Sequence, residues 1–179
     1  MAAARWVKVV HLLELARVEV VFAAVGNAWL AVFLGLTVEL TARRSAELVR
    51  LPVGALLVLS AALAGGLAVY GMAMSDVMDV RRDRALRPGR PIPSGRVGLP
   101  WAVVVAVGSL LVALAAAVFL GDGATLMALA VAGMIVAYNV AGRFVPAAGV
   151  VLWGLIHGGV MLAPNVWMGY TWPVWLVVS

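Results

Sequence analysis

Five apolar stretches, at residues 20–38, 51–74, 99–120, 124–141 and 145–168, constrain this chain more than any other feature. A hydrocarbon layer of about 30 Å takes about 20 residues of helix to cross, and each stretch is near that length. Polar breaks separate them, at Glu39 to Arg50, Asp76 to Arg96, Gly121 to Gly123 and Gly142-Arg143. The residues between could not coat a water-soluble fold, because 65% of the chain is hydrophobic and only 12% is charged. A mean hydropathy of +1.08 excludes a disordered segment as well. The expected fold is all-α, a polytopic transmembrane helical bundle of about five spans forming a single membrane domain over 1–179. The first stretch is longer than the core of a cleavable signal peptide and reads as an anchor.

The basic residues give the orientation. With the N-terminus inside, Arg5, Lys8, Arg17, Arg81, Arg82, Arg84, Arg87, Arg90, Arg96 and Arg143 share one face, and only Arg43, Arg44 and Arg50 lie on the other. The positive-inside rule then places the N-terminus and the segment 76–96 on the cytoplasmic side of an inner, cytoplasmic membrane. A net charge of +5 therefore records topology here and does not imply a nucleic-acid partner. The chain has no cysteine, which excludes disulfides, iron–sulfur clusters and thiolate metal sites. Residues 169–179 start a new apolar run too short to cross. It reads either as an interfacial tail anchored by Trp172 and Trp175, or as the start of a truncated sixth span.

Three of the eight carboxylates fall together, as Asp76, Asp79 and Asp83. Offsets of three and four residues place them on one face of a helix, where like charges repel and call for a cation. Hard carboxylate oxygens suit Mg²⁺, which completes its shell with water and phosphate oxygens. Arg81, Arg82, Arg84, Arg87 and Arg90 follow at once, and the guanidinium fork suits phosphate. Pro88, Pro91 and Pro93 with Gly89 and Gly95 end the helix in a stiff loop. Such a cluster fits a metal-bound diphosphate at the mouth of an apolar bundle. Charge pattern alone fits equally a set of topology determinants that pair with one another.

The string from Gly71 to Arg96, GMAMSDVMDVRRDRALRPGRPIPSGR, resembles the first aspartate-rich motif of the UbiA superfamily of intramembrane prenyltransferases. That motif is N-D-x-x-D-x-x-x-D, followed by R-P-x-R-P-[IL]-P-S-G. The aspartates match at Asp76, Asp79 and Asp83, and the loop matches from Arg87 to Gly95, while Ser75 stands where the family has Asn. A weaker likeness follows the fourth stretch, where Tyr138 precedes Gly142 and Arg143 in place of the family's Lys-Arg pair. The resemblance implies Mg²⁺-dependent transfer of an isoprenyl group from a prenyl diphosphate to an aromatic or lipid-like acceptor. It implies Asp76, Asp79 and Asp83 as metal-holding catalytic residues and Ser75, Arg87, Arg90 and Arg143 as diphosphate contacts. It covers only the front half of that fold, since the family's second aspartate motif has no counterpart and the last carboxylate is Asp122. A non-catalytic subunit or pseudoenzyme binding an isoprenoid lipid or a partner protein is the alternative. A second copy or a complementing half are the protein partners it leaves open.

Other polar residues carry two readings each. His157 either contacts substrate or bonds a neighbouring helix beside a Gly154–Gly158 contact, the latter being the commoner case. Asn27 either faces substrate or bonds a neighbouring carbonyl. The clustered-aspartate CDP-alcohol phosphotransferases need D-G-x-x-A-R, which this sequence lacks.

Overall fold

The computed structural model describes residues 17–42 and 51–168, without the side chains of 38–42, 143 and 166–168. The tail 169–179, the N-terminal Arg5, Lys8 and Trp6, and the opposite-face Arg43, Arg44 and Arg50 lie outside the described residues. Five helices follow one another: α1 (Val18–Ala42), α2 (Val53–Leu86), α3 (Leu99–Leu120), α4 (Asp122–Val140) and α5 (Pro146–Leu162). The first four each contain a segment long and apolar enough to cross a membrane, and α5 does so together with the 3₁₀ turn after it, as Pro146–Asn165; the described residues hold no strand. The chain is an integral membrane protein built as a helical bundle. Its α2 runs past the apolar stretch 51–74 to Leu86, carrying the whole aspartate cluster and ending just before Pro88, as the aspartate spacing and the prolines predict. At 34 residues α2 is about 51 Å long, some 20 Å more than the hydrocarbon layer. Likewise only Gly121 separates α3 from α4, because Asp122 already opens the next helix.

Helices in lipid gain nothing from hiding large apolar side chains, so small residues that let backbones approach decide which faces meet. In α3 the buried positions are Ala102, Ala106, Ala113, Ala116, Ala117 and Leu120, while Leu111, Val118 and Phe119 point outward. The buried face of α4 holds Ala124, Ala128, Val131, Ala132, Ile135 and Asn139. Gly66 makes the α2–α3 approach possible: a Cβ there would meet the Ser109 carbonyl oxygen at 2.7 Å. The expected Gly154–Gly158 contact is displaced by one residue. A Cβ on either of those glycines would meet nothing within 4 Å, whereas a Cβ on Gly159 would meet Val131 at 2.5 Å.

Two polar ties fasten α1. The Trp29 indole donates to the Leu57 carbonyl of α2 at 2.9 Å, and the buried Asn165 amide donates to the Ala31 carbonyl. Leu56, Leu63 and Leu67 of α2 fill the centre, so α2 is the axis on which α1, α3 and α4 pack.

Candidate functional site

The site begins where α2 leaves its apolar stretch. Ser75, Asp76 and Asp79 lie on the side of α2 that faces α1, α4 and α5, and they line one end of a cavity of about 430 Å³. Facing them are Arg17, at the start of α1, and Asn139, at the end of α4. Farther in, the lining turns apolar, with Ala23 and Ala24 of α1, Leu67 of α2, Ile135 of α4, and Ile156 and Val160 of α5. One end therefore carries three guanidinium groups, Arg17, Arg82 and Arg90, against two carboxylates, Asp76 and Asp79. Asp83, which Arg90 also reaches, brings the carboxylates to three, so these charges balance at the mouth of an apolar chamber.

The loop after α2 builds the rest of the mouth. Arg87 closes the helix by donating its backbone N–H to the Asp83 carbonyl at 2.8 Å. Successive turns then bond Arg90 N–H to Arg87 O at 3.1 Å, Ser94 N–H to Arg90 O at 3.0 Å and Val97 N–H to Pro91 O at 2.9 Å. Ile92 and Val97 plug the loop onto Val80 and Ala102, and the Arg96 guanidinium donates to the Gly89 carbonyl. The prolines thus end the helix and leave a loop that is folded in its own right.

This loop brings Arg90 back over α2. Its Nη1 lies 2.6 Å from Asp83 Oδ2 and 3.1 Å from Asp76 Oδ1, and Arg17 Nη2 lies 3.6 Å from the same Asp76 oxygen. Asp76 and Asp83 are both buried, at 7% and 5% exposure, so each buried charge has a cationic partner as burial requires. A smaller cavity of about 120 Å³ lies beyond, lined by Asp79, Arg82, Asp83, Leu86, Arg87 and Arg90. Asp79, Arg82 and Arg90 border both cavities.

Of the residues singled out from the sequence, Asp76, Asp79, Asp83, Ser75, Arg87 and Arg90 come together here. Arg143 sits in the short 3₁₀ turn Gly142–Phe144 between α4 and α5, with its side chain outside the described set. That turn packs tightly on α5, since a Cβ on Gly149 would meet the Gly142 carbonyl oxygen at 2.6 Å. The Ser75 hydroxyl donates to Asn139 Oδ1 at 2.8 Å, and the Asn139 amide donates to the Ile135 carbonyl at 2.9 Å. A carboxamide supplied by α4 therefore bonds the side chain at position 75, where this chain has Ser.

Several contributors were missed or left open by sequence reading. Arg17 was counted only for topology and Asn139 was not considered, because nothing in either one's local sequence shows which face it takes. Asn27 lines the cavity. His157 also lines it, and among the described residues its hydrogen bond stays within its own helix: Nδ1 lies 3.0 Å from the Trp153 carbonyl. A carbonyl only accepts, so Nδ1 carries the hydrogen. Its ring packs against Trp153 at 4.5 Å, and Trp153 packs against Tyr138 at 5.6 Å, forming an aromatic wall along one side.

The donor chemistry of Asp76, Asp79 and Asp83 suits a hard divalent cation. The described residues contain no ready-made group of three metal-ligating side chains, and Arg90 lies between Asp76 and Asp83.

Comparison with known proteins agrees with the fold. A solved structure described as digeranylgeranylglyceryl phosphate synthase in membranes superposes with a TM-score of 0.75 at 22% identity, covering 89% of this chain. The chain spans 53% of that protein's length. No curated protein matches the sequence. Residues 28–178 match the UbiA prenyltransferase family, and the chain belongs to that family.

Proposed function

We propose that this chain binds a prenyl diphosphate with Mg²⁺ and forms one half of a prenyl-transfer site. The observation that carries the reading is the single cavity with a charged end and an apolar body. Such a space matches an amphiphile with an anionic head and a hydrocarbon tail, and little else. Asp76, Asp79 and Asp83 would hold the metal, directly or through water. When bound, Mg²⁺ neutralises the diphosphate as the allylic carbon–oxygen bond weakens. Arg17, Arg82 and Arg90 face the same head group and add fixed positive charge where negative charge grows. Arg87 contacts it from the smaller cavity, and Arg143 is a further contact by its place on the shared face. The Ser75–Asn139 bond holds α2 against α4 and fixes the direction of Asp76. The apolar lining and the Tyr138–Trp153–His157 wall keep water from the reacting carbon. The acceptor is an aromatic or lipid-like molecule taken from the membrane.

The aspartate end is cytoplasmic in this reading. The absence of native cysteine makes that simple to test with an impermeant thiol reagent. Gly89→Cys, where a Cβ meets nothing within 4 Å, should label from the cytoplasmic side, and a cysteine in place of Gly123 from the opposite side. The reverse pattern would overturn the orientation.

Among the described residues, the mouth carries one carboxylate cluster. Glu19, in the first turn of α1, is exposed and borders neither cavity, and Asp122 opens α4 at the far end of α3. One cluster recruits about one Mg²⁺, which leaves part of the diphosphate charge unbalanced. Residues 1–179 alone should therefore transfer no prenyl group above background, and clear turnover would refute the half-site reading. Binding is the decisive assay. Geranyl diphosphate should bind only with Mg²⁺, and at least about tenfold more weakly in Asp79→Asn, since loss of even an outer-shell metal partner costs 10–100-fold. Binding that ignores both EDTA and this substitution would sink the proposal. A non-catalytic lipid-binding subunit would behave in that way.

A further inference from the structure

We infer that Arg90 is the resident cation of the Asp76–Asp83 pair, and that it yields this place when Mg²⁺ arrives with a diphosphate. The inference rests on the diphosphate-binding reading above and adds a conformational step to it.

One nitrogen satisfies both carboxylates. Asp76 and Asp83 are seven residues apart, about 10.5 Å along the helix axis, yet Nη1 of Arg90 reaches one at 3.1 Å and the other at 2.6 Å. The two side chains therefore converge on a single point, as ligands converge on an ion. The occupant is a guanidinium with one charge against two carboxylates, and Arg17 at 3.6 Å from Asp76 offsets part of the remainder. A divalent ion at that point would balance the pair better. It would also release Arg90 for an anion.

The loop fixes where the released group goes. The Arg90 backbone is bonded on both sides, its N–H to Arg87 and its carbonyl to Ser94, and Ile92 and Val97 hold the loop on α2 and α3. Opening the whole loop would break that small core. A side-chain rotation breaks only the two carboxylate contacts. The Arg90 side chain is 24% exposed where the two aspartates are 8% and 7%, so the way out is toward the aqueous side. Arg90 also borders both cavities, so its withdrawal joins them over Asp76, Asp79 and Asp83. The guanidinium, tethered at the rim, then meets the phosphate of the incoming head group. Arg90 is thus a positioning residue for the carboxylates before binding and an anion partner afterwards.

A pinned state lowers apparent affinity by the fraction of molecules that are unpinned. Mn²⁺ serves as the probe, with binding read by electron paramagnetic resonance on the full chain in lipid nanodiscs. Without any phosphate, Arg90→Gln should bind Mn²⁺ at least about tenfold more tightly than the unsubstituted chain, if the unpinned state is a minor one of 10% or less. Arg90→Lys keeps the charge on a shorter side chain without the rigid guanidinium plane, holds the pair more loosely, and should gain a smaller amount. Adding inorganic diphosphate should remove the advantage of Arg90→Gln, because only the native guanidinium then gains a phosphate partner. Equal or weaker Mn²⁺ binding by a folded Arg90→Gln, or by Arg90→Lys should the first not fold, would overturn the exchange. If the unsubstituted chain binds Mn²⁺ with diphosphate but neither variant gains without it, the exchange alone fails. If no form binds Mn²⁺ under either condition, the diphosphate reading and the exchange fail together.

Discussion

The bundle has two regions built on opposite rules. In the α3–α4 half, specificity comes from what is missing: alanines face inward and large side chains face lipid. At the mouth, formed by the last three turns of α2 and the 87–98 loop, specificity comes from charges that need one another. Asp76 and Asp83 are buried in a membrane protein only because Arg90 and Arg17 reach them. Lipid-facing helices tolerate exchange of one large apolar side chain for another, since both sides are equally apolar. The mouth tolerates little, because truncating one member leaves a buried charge without its partner.

Substitutions sharpen this contrast. The largest effect is expected at the mouth. Asp83→Asn removes one charge at nearly constant size and should weaken Mg²⁺-dependent binding of geranyl diphosphate by at least about tenfold, or about 1.4 kcal/mol. It should leave helicity by circular dichroism unchanged. An intermediate effect, of a different kind, is expected between the helices. Gly66→Ala drives a Cβ against the Ser109 carbonyl and should destabilise the bundle by about 1–3 kcal/mol in a denaturation series. The folded fraction should still bind diphosphate normally, because Gly66 borders neither cavity. A loss of binding in that folded fraction would show that the two regions are not separate. The smallest effect is expected at the α1 tie. Trp29→Phe deletes the hydrogen bond to the Leu57 carbonyl and should cost about 0.6 kcal/mol, the average for such bonds in membranes.

The same contrast explains what the sequence disclosed. Span length and charge asymmetry are local properties, so the five helices could be read directly. The spacing of Asp76, Asp79 and Asp83 on one helix, and the proline-rich loop after them, were also legible because each lies within one short string. The end of the apolar stretch near residue 74 did not mark the end of α2, although the aspartate spacing and the prolines after it did. Its last three turns are charged, and hydropathy ends where apolar residues end although helix propensity does not. That charges here could pair was legible, but which residues pair was not. Arg90 was read as a phosphate contact, yet it lies on two aspartates, since a loop that turns back on itself leaves no trace in spacing. Arg17, Asn139 and Trp153 join the cavity from three other helices, and only packing decides which of their faces turns inward.

The central claim is that the charged mouth and the apolar chamber are one site for one molecule. Calorimetry on the purified chain in nanodiscs, comparing geranyl diphosphate with inorganic diphosphate and with geraniol in the presence of Mg²⁺, tests it most directly. If the two regions act together, geranyl diphosphate should bind at least about tenfold tighter than either fragment, a gain of about 1.4 kcal/mol or more. EDTA should abolish that advantage. Geraniol binding as tightly as its diphosphate, with no response to EDTA, would contradict the account, because the chamber would then bind lipid without help from the mouth.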